Sequence, residues 1–338
     1  MVKKRVAISW PKNLQHGIAL IIVLWVITLL SLIAASFVTV MRGDIQLVSN
    51  SIGRAKVDAV ASAGIQRALF ELLKPINAPD RWLADGVAHD WSYQDAAVTI
   101  TMRDEAGKID INSAQEALLR GLFQSQGMTS DEAVAMVDAM ADWRDQDSLK
   151  RLHGAEEADY AAAGLNTKPA NEPFQSIEEL KLVLGMSPQL YARVAPLITI
   201  YSRLPGIYAQ IATREVLRAM PNVTDEQIDT YIQLREQARL AKAAIPTFAA
   251  GAAYSSVGSG YIVRIRAEAK MPDGAGFVRE AVSRPFANNP KRFYAHLQWK
   301  EGREQIGQDN AASGPSANTA PISPASPFTP LAPATQVK

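Results

Sequence analysis

A long run without an ionisable side chain, residues 18–41, is the feature that most restricts what this chain can fold into. As an α-helix at 1.5 Å per residue the run would be ~36 Å long, enough to cross a ~30 Å hydrocarbon core. Its polar residues are serines and threonines, whose hydroxyl groups can donate to the helix's own carbonyls. The run therefore predicts a membrane-spanning helix.

Basic residues precede the apolar run, whereas the segment after it mixes both signs of charge. The basic residues are Lys3, Lys4, Arg5 and Lys12. Such a bias places the N-terminus in the cytoplasm and the bulk of the chain across the membrane. We therefore expect a single-pass protein with its C-terminal domain outside the cytoplasm.

The border between the basic segment and the apolar run is abrupt and falls at Gly17. A secretory signal peptide has an apolar region of about 7–15 residues that ends at a small-residue cleavage site. Here the run is longer, and Ala34-Ala35-Ser36 lies inside it. A plain uncleaved anchor is a second interpretation. A third is proteolytic processing at Gly17, because glycine lets the backbone extend into a protease site without side-chain obstruction.

Helical spacing of apolar and small residues continues beyond the membrane segment, with no proline between Pro11 and Pro75. We predict one helix from Ile18 to about Leu73, with its membrane half at 18–41. The rest of this helix and the first strands occupy 42–109.

Period-two alternation predicts strands in "AAVTITMRD" (96–104), "GYIVRIRAEAK" (260–270), "FVREAVSR" (277–284) and "RFYAHLQW" (292–299). In the last segment, the alternation should place four residues on one face of the strand: Phe293, Ala295, Leu297 and Trp299. Three or four antiparallel strands would cover the end of the long helix. The fold class is α+β, with its C-terminal strands at 246–304.

Residues 110–245 are almost wholly helical in pattern and predict an all-α insertion between the two groups of strands. Ser113 with Glu116, and Ser176 with Glu179, have the spacing of a capping box at a helix start. From 305 to 338 proline, alanine and serine dominate, which predicts a disordered tail.

The composition excludes sites that need cysteine and disfavours a zinc site built from several histidines. The chain has no cysteine, and its four histidines, His16, His89, His153 and His296, are far apart in sequence. The net charge of +1, from 35 basic and 34 acidic residues, gives no bulk attraction to nucleic acid. We find no nucleophile elbow, and the glycine pairs "GSG" and "GAG" are too short for a phosphate loop. We predict that the protein is not an enzyme.

The acidic stretch 142–160, "DWRDQDSLKRLHGAEEADY", has carboxylates in calcium-loop spacing. Asp145, Asp147 and Glu156 fall at the first, third and twelfth positions. Leu149 and Lys150 occupy positions that an EF-hand gives to an oxygen ligand and a glycine, so an EF-hand proper is rejected. The alternative is that these acidic residues end a helix and face solvent.

The basic leader, Gly17 and the apolar helix together resemble the type IV prepilin leader. That resemblance implies cleavage after Gly17 by a prepilin peptidase and N-methylation of the new terminus, Ile18. Prepilins and most pseudopilins carry a glutamate where this chain has Ile22. In a filament that carboxylate neutralises the amino terminus of the adjoining subunit, so Ile22 is expected of a subunit at the filament tip.

The order Asp-Trp-x-Asp-x-Asp, Gly-Ala-Glu, Tyr160 and "NEPFQSIEELKLVLGM" is similar to the helical insertion of the type II secretion system protein K family. The resemblance implies a pilin-like fold with an insertion of the SAM or helix-hairpin-helix type. It also implies structural calcium, held by Asp145, Asp147, Glu156 and Asn171. Asp142 and Glu157 are further candidates.

Nearly the whole chain takes part in this resemblance, which weakens at "IYAQIATREVLRAM" and excludes 305–338. It implies a minor pseudopilin of the inner membrane with a periplasmic domain, at the tip of the pseudopilus. It would promote assembly of the pseudopilus and export of folded proteins across the outer membrane. The implied partners are other minor pseudopilins, the major pseudopilin, the prepilin peptidase and the inner membrane, without nucleic acid.

A membrane-anchored DNA receptor of a competence or type IV pilus system is the alternative from another class. Its helix-hairpin-helix modules would need a Gly-x-Gly hairpin followed by basic residues that meet phosphates. The segment "LGMSPQLYARVAP" offers one glycine and a single nearby arginine. The sequence therefore favours the secretion protein.

Overall fold

A computed structural model describes residues 15–75, 77–257, 262–286, 289 and 291–302, with the backbone alone at 15–18 and 43. These residues belong to one compact unit, Met1–Glu304; the second unit is Gln305–Lys338. Residues 1–14 of the predicted leader and the predicted tail at 305–338 lie outside the described residues.

The long N-terminal helix, α1, runs from Gln15 to Leu73 without interruption. The large apolar side chains of its first half, from Leu20 to Met41, are 47–74% exposed. Thr28 and Ser31 donate their hydroxyls to the carbonyls of Leu24 and Ile27, at 2.5 and 2.8 Å. This confirms the predicted helix, and by length and composition α1 could cross a membrane.

Seven strands are present in the described part of the chain. They are β1 Asp85–Tyr93, β2 Ala96–Asp104, β3 Ile109–Asp110, β4 Ile198–Thr199, β5 Val263–Lys270, β6 Gly276–Pro285 and β7 Tyr294–Glu301. Five of them form one antiparallel sheet in the order β1-β2-β5-β6-β7. The short β3 and β4 pair in parallel. The molecule is therefore α+β, as predicted.

The second half of α1 packs on one face of the five-stranded sheet. Val98, Ile100 and Met102 alternate with exposed or half-buried neighbours along β2, and Ile265 and Ala267 do the same on β5. These side chains bury against Ile65 and Leu69 of α1. The period-two patterns of β2 and β5 thus identify the sheet face that meets the helix.

Strand β1 was not predicted from the sequence. Its residues "DGVAHDWSY" include Gly86 and two aspartates, which are depleted in strands, and much of its surface is exposed. It forms because its residues pair in register with those of β2. Its place at the edge of the sheet explains why an apolar alternation is weak.

The prediction that Phe293, Ala295, Leu297 and Trp299 lie on one face of β7 is wrong. A register shift between Val282 and Ser283 leaves Leu297 without a residue opposite it, since Gln298 pairs with Val282 and His296 with Ser283. Such a bulge moves the following residues to the other face. Trp299 therefore pairs opposite Ala281, which is in the core beside α1, and it remains 41% exposed, as does Leu297 at the bulge.

The segment between β2 and β5 has its own hydrophobic core. Its helices are α2 Glu116–Ser125, α3 Ser130–Arg144, α4 Glu157–Ala162, α5 Pro188–Val194, α6 Arg214–Leu217 and α7 Asp225–Leu240. Phe248 belongs to this core, and a 3-10 helix follows at Ala249–Tyr254. The helical part therefore extends past the boundary predicted at 245.

One predicted capping box is absent. Helix α2 begins at Glu116 with Gln115 as its N-cap, and the Ser113 amide donates to Asp110 Oδ1 at 3.2 Å instead. At Ser176 the amide donates to Glu179 Oε1 at 3.1 Å, but the helix that starts there is a 3-10 helix, Ile177–Leu182. Buried Asp110 displaces the first predicted helix start because its Oδ1 accepts from the Asn112 and Ser113 amides, which forms a turn before the helix.

The insertion leaves and rejoins the sheet at directly paired residues. Asp104 pairs with Val263, and the Glu105 amide donates to the Ile262 carbonyl at 3.0 Å. At this junction the Glu105 side chain is fully buried and accepts from Arg264 Nε at 2.7 Å and from the Thr199 hydroxyl. The first residue of the insertion is thus fixed both to the sheet and to β4 within the insertion.

Asp104 carries an electrostatic cost at the same junction. Burial, with a further contribution from Glu105, raises the pKa of Asp104 to about 7, although its Oδ1 accepts from the Ala106 amide at 2.9 Å. The folded state therefore binds a proton that the unfolded chain releases at about pH 4. Between these values the free energy of unfolding falls as pH rises.

We predict that Asp104→Asn flattens this pH dependence, because asparagine keeps the acceptor for Ala106 without a charge. The variant should be more stable than the parent at about pH 8 and similar at about pH 4, with about 1.4 kcal/mol for each unit of pKa difference removed. Thermal unfolding of the detergent-solubilised chain at several pH values measures this. Exposed Asp95→Asn is the control, and an unchanged pH profile in Asp104→Asn would refute the assignment.

Candidate functional site

The acidic loop, defined as residues 145–156, joins α3 to α4. Asp145 is the C-cap of α3, and its amide donates to the Ala141 carbonyl at 3.0 Å. Glu156 is the N-cap of α4, and its amide donates to Asp159 Oδ2 at 2.9 Å. Two of the predicted ligands are therefore held at helix ends, where the backbone fixes their position.

Asp142 lies beneath the acidic loop and is fully buried. Its two oxygens accept from the Arg151 amide at 3.3 and 3.2 Å. A side chain at Gly154 would overlap the Asp142 carboxylate, so glycine is required there. Asp142, a lower-ranked candidate ligand, thus uses its oxygens to hold the loop backbone.

The carboxylates of the acidic loop disfavour one another's ionisation. Burial, followed by the charge of Asp147, raises the pKa of Asp145. Burial, followed by the charges of Asp142, Asp145 and Asp147, raises the pKa of Glu156. Oδ1 of Asp145 and Oε1 of Glu156 are buried without a hydrogen-bond partner. A cation placed between these oxygens would relieve both effects.

Two other predicted ligands, Glu157 and Asn171, border a cleft of about 290 Å³ beside Glu156, whose lining also includes Ser148 and the cation Lys168. Asn171 has a left-handed backbone (φ 52°), and its amide donates to the Trp143 carbonyl at 2.9 Å, which holds it beside the end of α3. The structure therefore brings Asn171 and Glu157 to Glu156, although helix α4 and a further loop separate Asn171 from Glu156 in sequence.

Asp147 is exposed and accepts from the Leu149 amide at 2.8 Å, as in an Asx turn. Among the described residues, no three His, Cys, Asp or Glu side chains converge closely enough to form a metal site. The donor types fit calcium, which prefers carboxylate and amide oxygens.

The basic residues of the acidic loop were not identified by sequence reasoning. Lys150 pairs with Asp159 at 2.6 Å, and Arg151 pairs with Glu116 at 2.7 Å and with Asp138 at 3.4 Å. Both cations thus bind acids outside the predicted ligand set. No local spacing indicates the contact with Glu116, because Glu116 lies on α2, before the whole of α3 in sequence.

The residues of the predicted processing site belong to α1. Gly17 and Ile18 lie in its first turn, where the backbone is helical, and Ile22 is 57% exposed within the apolar half. The position that prepilins give to glutamate therefore faces outward on a helix flanked by other exposed apolar residues.

The segment that could resemble a DNA-binding hairpin is engaged within the fold. Gly185 has φ of 88° and precedes α5, whose Arg193 donates to the Gln126 carbonyl at 3.1 Å. A phosphate-binding hairpin would leave this cation free for a ligand. The structure gives the DNA-receptor alternative no added support.

Comparison with known sequences gives a consistent match. Residues 97–203 match the family model described as type II secretion system (T2SS), protein K. Type II secretion system protein K of Aeromonas hydrophila is 28% identical over 212 residues, covering 54% of this chain and 63% of that protein. The Klebsiella pneumoniae protein of the same name is 22% identical over 204 residues, covering 54% and 62%. The chain thus spans slightly less than two thirds of these relatives.

Comparison with solved structures supports the fold. A chain in the crystal structure of the GspK-GspI-GspJ complex from the enterotoxigenic Escherichia coli type 2 secretion system superposes with a TM-score of 0.55. The match covers 74% of this chain and 97% of that chain, at 15% sequence identity. This match shows a shared fold, and the matches in sequence show that the chain resembles the type II secretion system protein K family, most clearly over residues 97–203.

Proposed function

We propose that this protein is a minor pseudopilin of a type II secretion system. The main support for this proposal comes from α1. It is a single helix whose apolar first half is exposed and whose second half packs on an antiparallel sheet. Such a helix would anchor a pilin-like subunit in a membrane and could bundle with similar helices. The protein K domain at 97–203 supports the same assignment.

The proposed place of the subunit is the tip of the periplasmic pseudopilus. A carboxylate in the bilayer costs roughly 2.5 kcal/mol or more unless it is paired. Ile22 avoids that cost, as suits a subunit with no neighbour above it to supply an amino terminus. At the tip the protein would promote assembly of the pseudopilus and export of folded proteins across the outer membrane.

The position of the helical insertion agrees with a tip subunit. The β5–β6 turn lies beside Gly53 and Arg54, where α1 leaves the sheet toward its apolar half. The insertion joins the opposite end of β2 and β5, near Ala84, whose carbonyl accepts from the Asp104 amide at 3.0 Å. The insertion thus occupies the space beyond the membrane-distal end of the sheet, where a further subunit would stack.

We further propose single-pass insertion in the inner membrane, with a cytoplasmic N-terminus and a periplasmic head. The partners would be other minor pseudopilins in a tip complex, since the similar solved chain comes from a GspK-GspI-GspJ complex. The major pseudopilin and the prepilin peptidase are the other proposed partner proteins. Helix-to-helix contacts along α1 need no charge, because packing between apolar helices is sufficient in a membrane.

Calcium is proposed as a structural cofactor of the acidic loop. Asp145, Asp147 and Glu156 would supply carboxylate ligands and Asn171 an amide oxygen. The unpartnered buried oxygens of Asp145 and Glu156 support this proposal. The bound ion would offset the mutual repulsion of the carboxylates and fix the loop between α3 and α4.

We predict that the mature protein begins at Ile18 and is N-methylated there. Gly17→Val should abolish cleavage in cells that carry the prepilin peptidase, because the branched side chain obstructs the extended backbone. Gly53→Val is the matched control in the same helix, where a side chain at residue 53 meets no neighbour within 4 Å. Intact-mass measurement of the purified protein shows whether the chain is cleaved and methylated. An uncleaved parent chain would contradict the proposed processing after Gly17.

We predict that Ile22→Glu and Leu29→Glu impair secretion to a similar extent, since neither carboxylate finds a partner at the tip. The measurement is the amount of exported protein in complemented deletion cells, with membrane levels of each variant as control. Single introduced cysteines can map neighbours by crosslinking, because the chain has no cysteine of its own. Normal secretion by Ile22→Glu alone, with another subunit crosslinked above it, would contradict the tip position.

We predict that Glu156→Gln changes stability in opposite directions with and without calcium. In chelator the substitution removes a repelled carboxylate and should raise the melting temperature, whereas in millimolar calcium it removes a ligand and should lower it relative to the parent. Exposed Glu226→Gln is the control and should respond equally in both conditions. Identical melting of the parent with calcium and with chelator would remove the metal proposal alone.

A further inference from the structure

A cleft of about 500 Å³ opens between α1 and the sheet, on the side from which α1 continues toward its apolar half. One wall is α1 at residues 49–54, and the opposite wall is the turn between β5 and β6. The end of β7, at Glu301 and Gly302, borders a third side. The insertion joins the sheet at the opposite end of β2 and β5, at Asp104 and Val263, and contributes no residue to this lining.

The cleft combines an apolar lining with open space. Four apolar residues of the lining are at most 9% exposed: Val57, Ala269, Phe277 and Val278. A side chain at Gly53 would meet no atom within 4 Å of its Cβ. On the opposite wall, a side chain at Gly276 would come no closer than 3.8 Å to its nearest neighbour, the Ala269 carbonyl oxygen. Both walls therefore leave room for atoms of another molecule against the apolar lining.

The ion pairs of the lining leave one acid without a counter-charge. Arg54 pairs with Glu301 at 2.9 Å, and Lys270 pairs with Glu268 at 2.9 Å. Asp273, in the exposed β5–β6 turn, has no ion-pair partner in the described part of the chain. A partner that brings a lysine or an arginine to Asp273 would therefore complement the charge of the cleft.

The surface of α1 next to the cleft is apolar, although it lies beyond the predicted membrane segment. Ile45, Val48 and Ile52 are 57–65% exposed, and their spacing places them on one face of the helix. At 1.5 Å per residue, residues 49–54 lie ~12–20 Å beyond Met41, where the apolar run ends. The hydrocarbon core therefore does not reach the cleft, and burial of these side chains requires a protein partner.

We propose that the cleft is occupied by a segment of the pseudopilin directly below this subunit. An apolar side chain of that segment packs against Phe277 and Val278, and a lysine or an arginine pairs with Asp273. A subunit at the tip has neighbours only toward the membrane, and the cleft opens at that end of the sheet. This contact rests on the proposed function and identifies the surface that receives the next subunit.

The test uses the full chain, in cells that contain the complete secretion system, with the photoreactive residue benzoylphenylalanine in place of Ala275. Ala275 lines the cleft, and irradiation should give an adduct with a pseudopilin, identified by mass spectrometry. Gly53→Leu fills the cleft and should reduce this adduct about tenfold or more. Gly53→Ala is the matched control, because both substitutions favour the helix but a single methyl group leaves most of the space open. Its adduct should equal that of the parent.

A second variant tests the charge. Asp273→Asn keeps an oxygen that accepts from the Ala275 amide, as Asp273 Oδ1 does at 2.9 Å, so the turn is preserved while the charge is lost. The adduct at position 275 should fall several-fold. Exposed Glu226→Gln, on α7 of the insertion, is the control and should leave the adduct unchanged.

The same photoreactive residue in place of Leu29 reports on bundling of α1 and should give pseudopilin adducts in the parent and in every variant. Pseudopilin adducts at position 29 with none at position 275 would overturn the occupied cleft and leave the proposed function standing. Equal adducts at position 275 in Gly53→Leu and Gly53→Ala would do the same, as would an adduct there with another kind of protein. Absence of pseudopilin adducts at both positions would overturn the proposed function as well.

Discussion

The pairing of Asp104 with Val263 is the constraint on which the rest of the structure depends. It makes the whole helical insertion equivalent to a long loop between two adjacent antiparallel strands. Glu105 and Arg264 stabilise this junction, because a buried carboxylate is tolerated when cations and a hydroxyl satisfy its oxygens. Burial opposes its ionisation, but Lys108 and Arg264 outweigh that effect and lower the pKa of Glu105.

Such a junction allows the packing of α1 on the sheet and the folding of the insertion to be largely independent of each other. The helix and the sheet must keep their close contact, since any side chain at Gly64 of α1 would overlap Ala267 and Val98 of the sheet. The insertion has an independent core and contacts the sheet around Glu105 and Thr199 and through an ion pair between Arg239 of α7 and Asp85 of β1 at 3.8 Å. It can therefore enlarge this end of the sheet without disturbing the packing of α1 on the sheet face.

The sequence predicted correctly the elements in which the spacing of apolar residues alone determines which side chains are buried. Strands β2 and β5 bury the alternate residues that their pattern assigns to the core, and α1 ends at Leu73 as its spacing indicates. The misses arise from interactions distant in sequence: β1 depends on pairing with β2, and the bulge opposite Ser283 redirects β7. At the acidic loop, spacing singled out Asp145 and Glu156, but it did not indicate that buried Asp142 would hold the Arg151 amide and require glycine at 154.

The acidic loop and the junction are also connected. Asp145 follows Arg144, whose guanidinium donates to the Ile111 carbonyl at 2.5 Å, directly after β3. Strand β3 in turn pairs with β4, and Thr199 of β4 donates to Glu105. An ion that fixes the end of α3 would hold Arg144, and through it the first residues of the insertion. The calcium binding proposed above and the attachment of the insertion to the sheet should therefore stabilise each other.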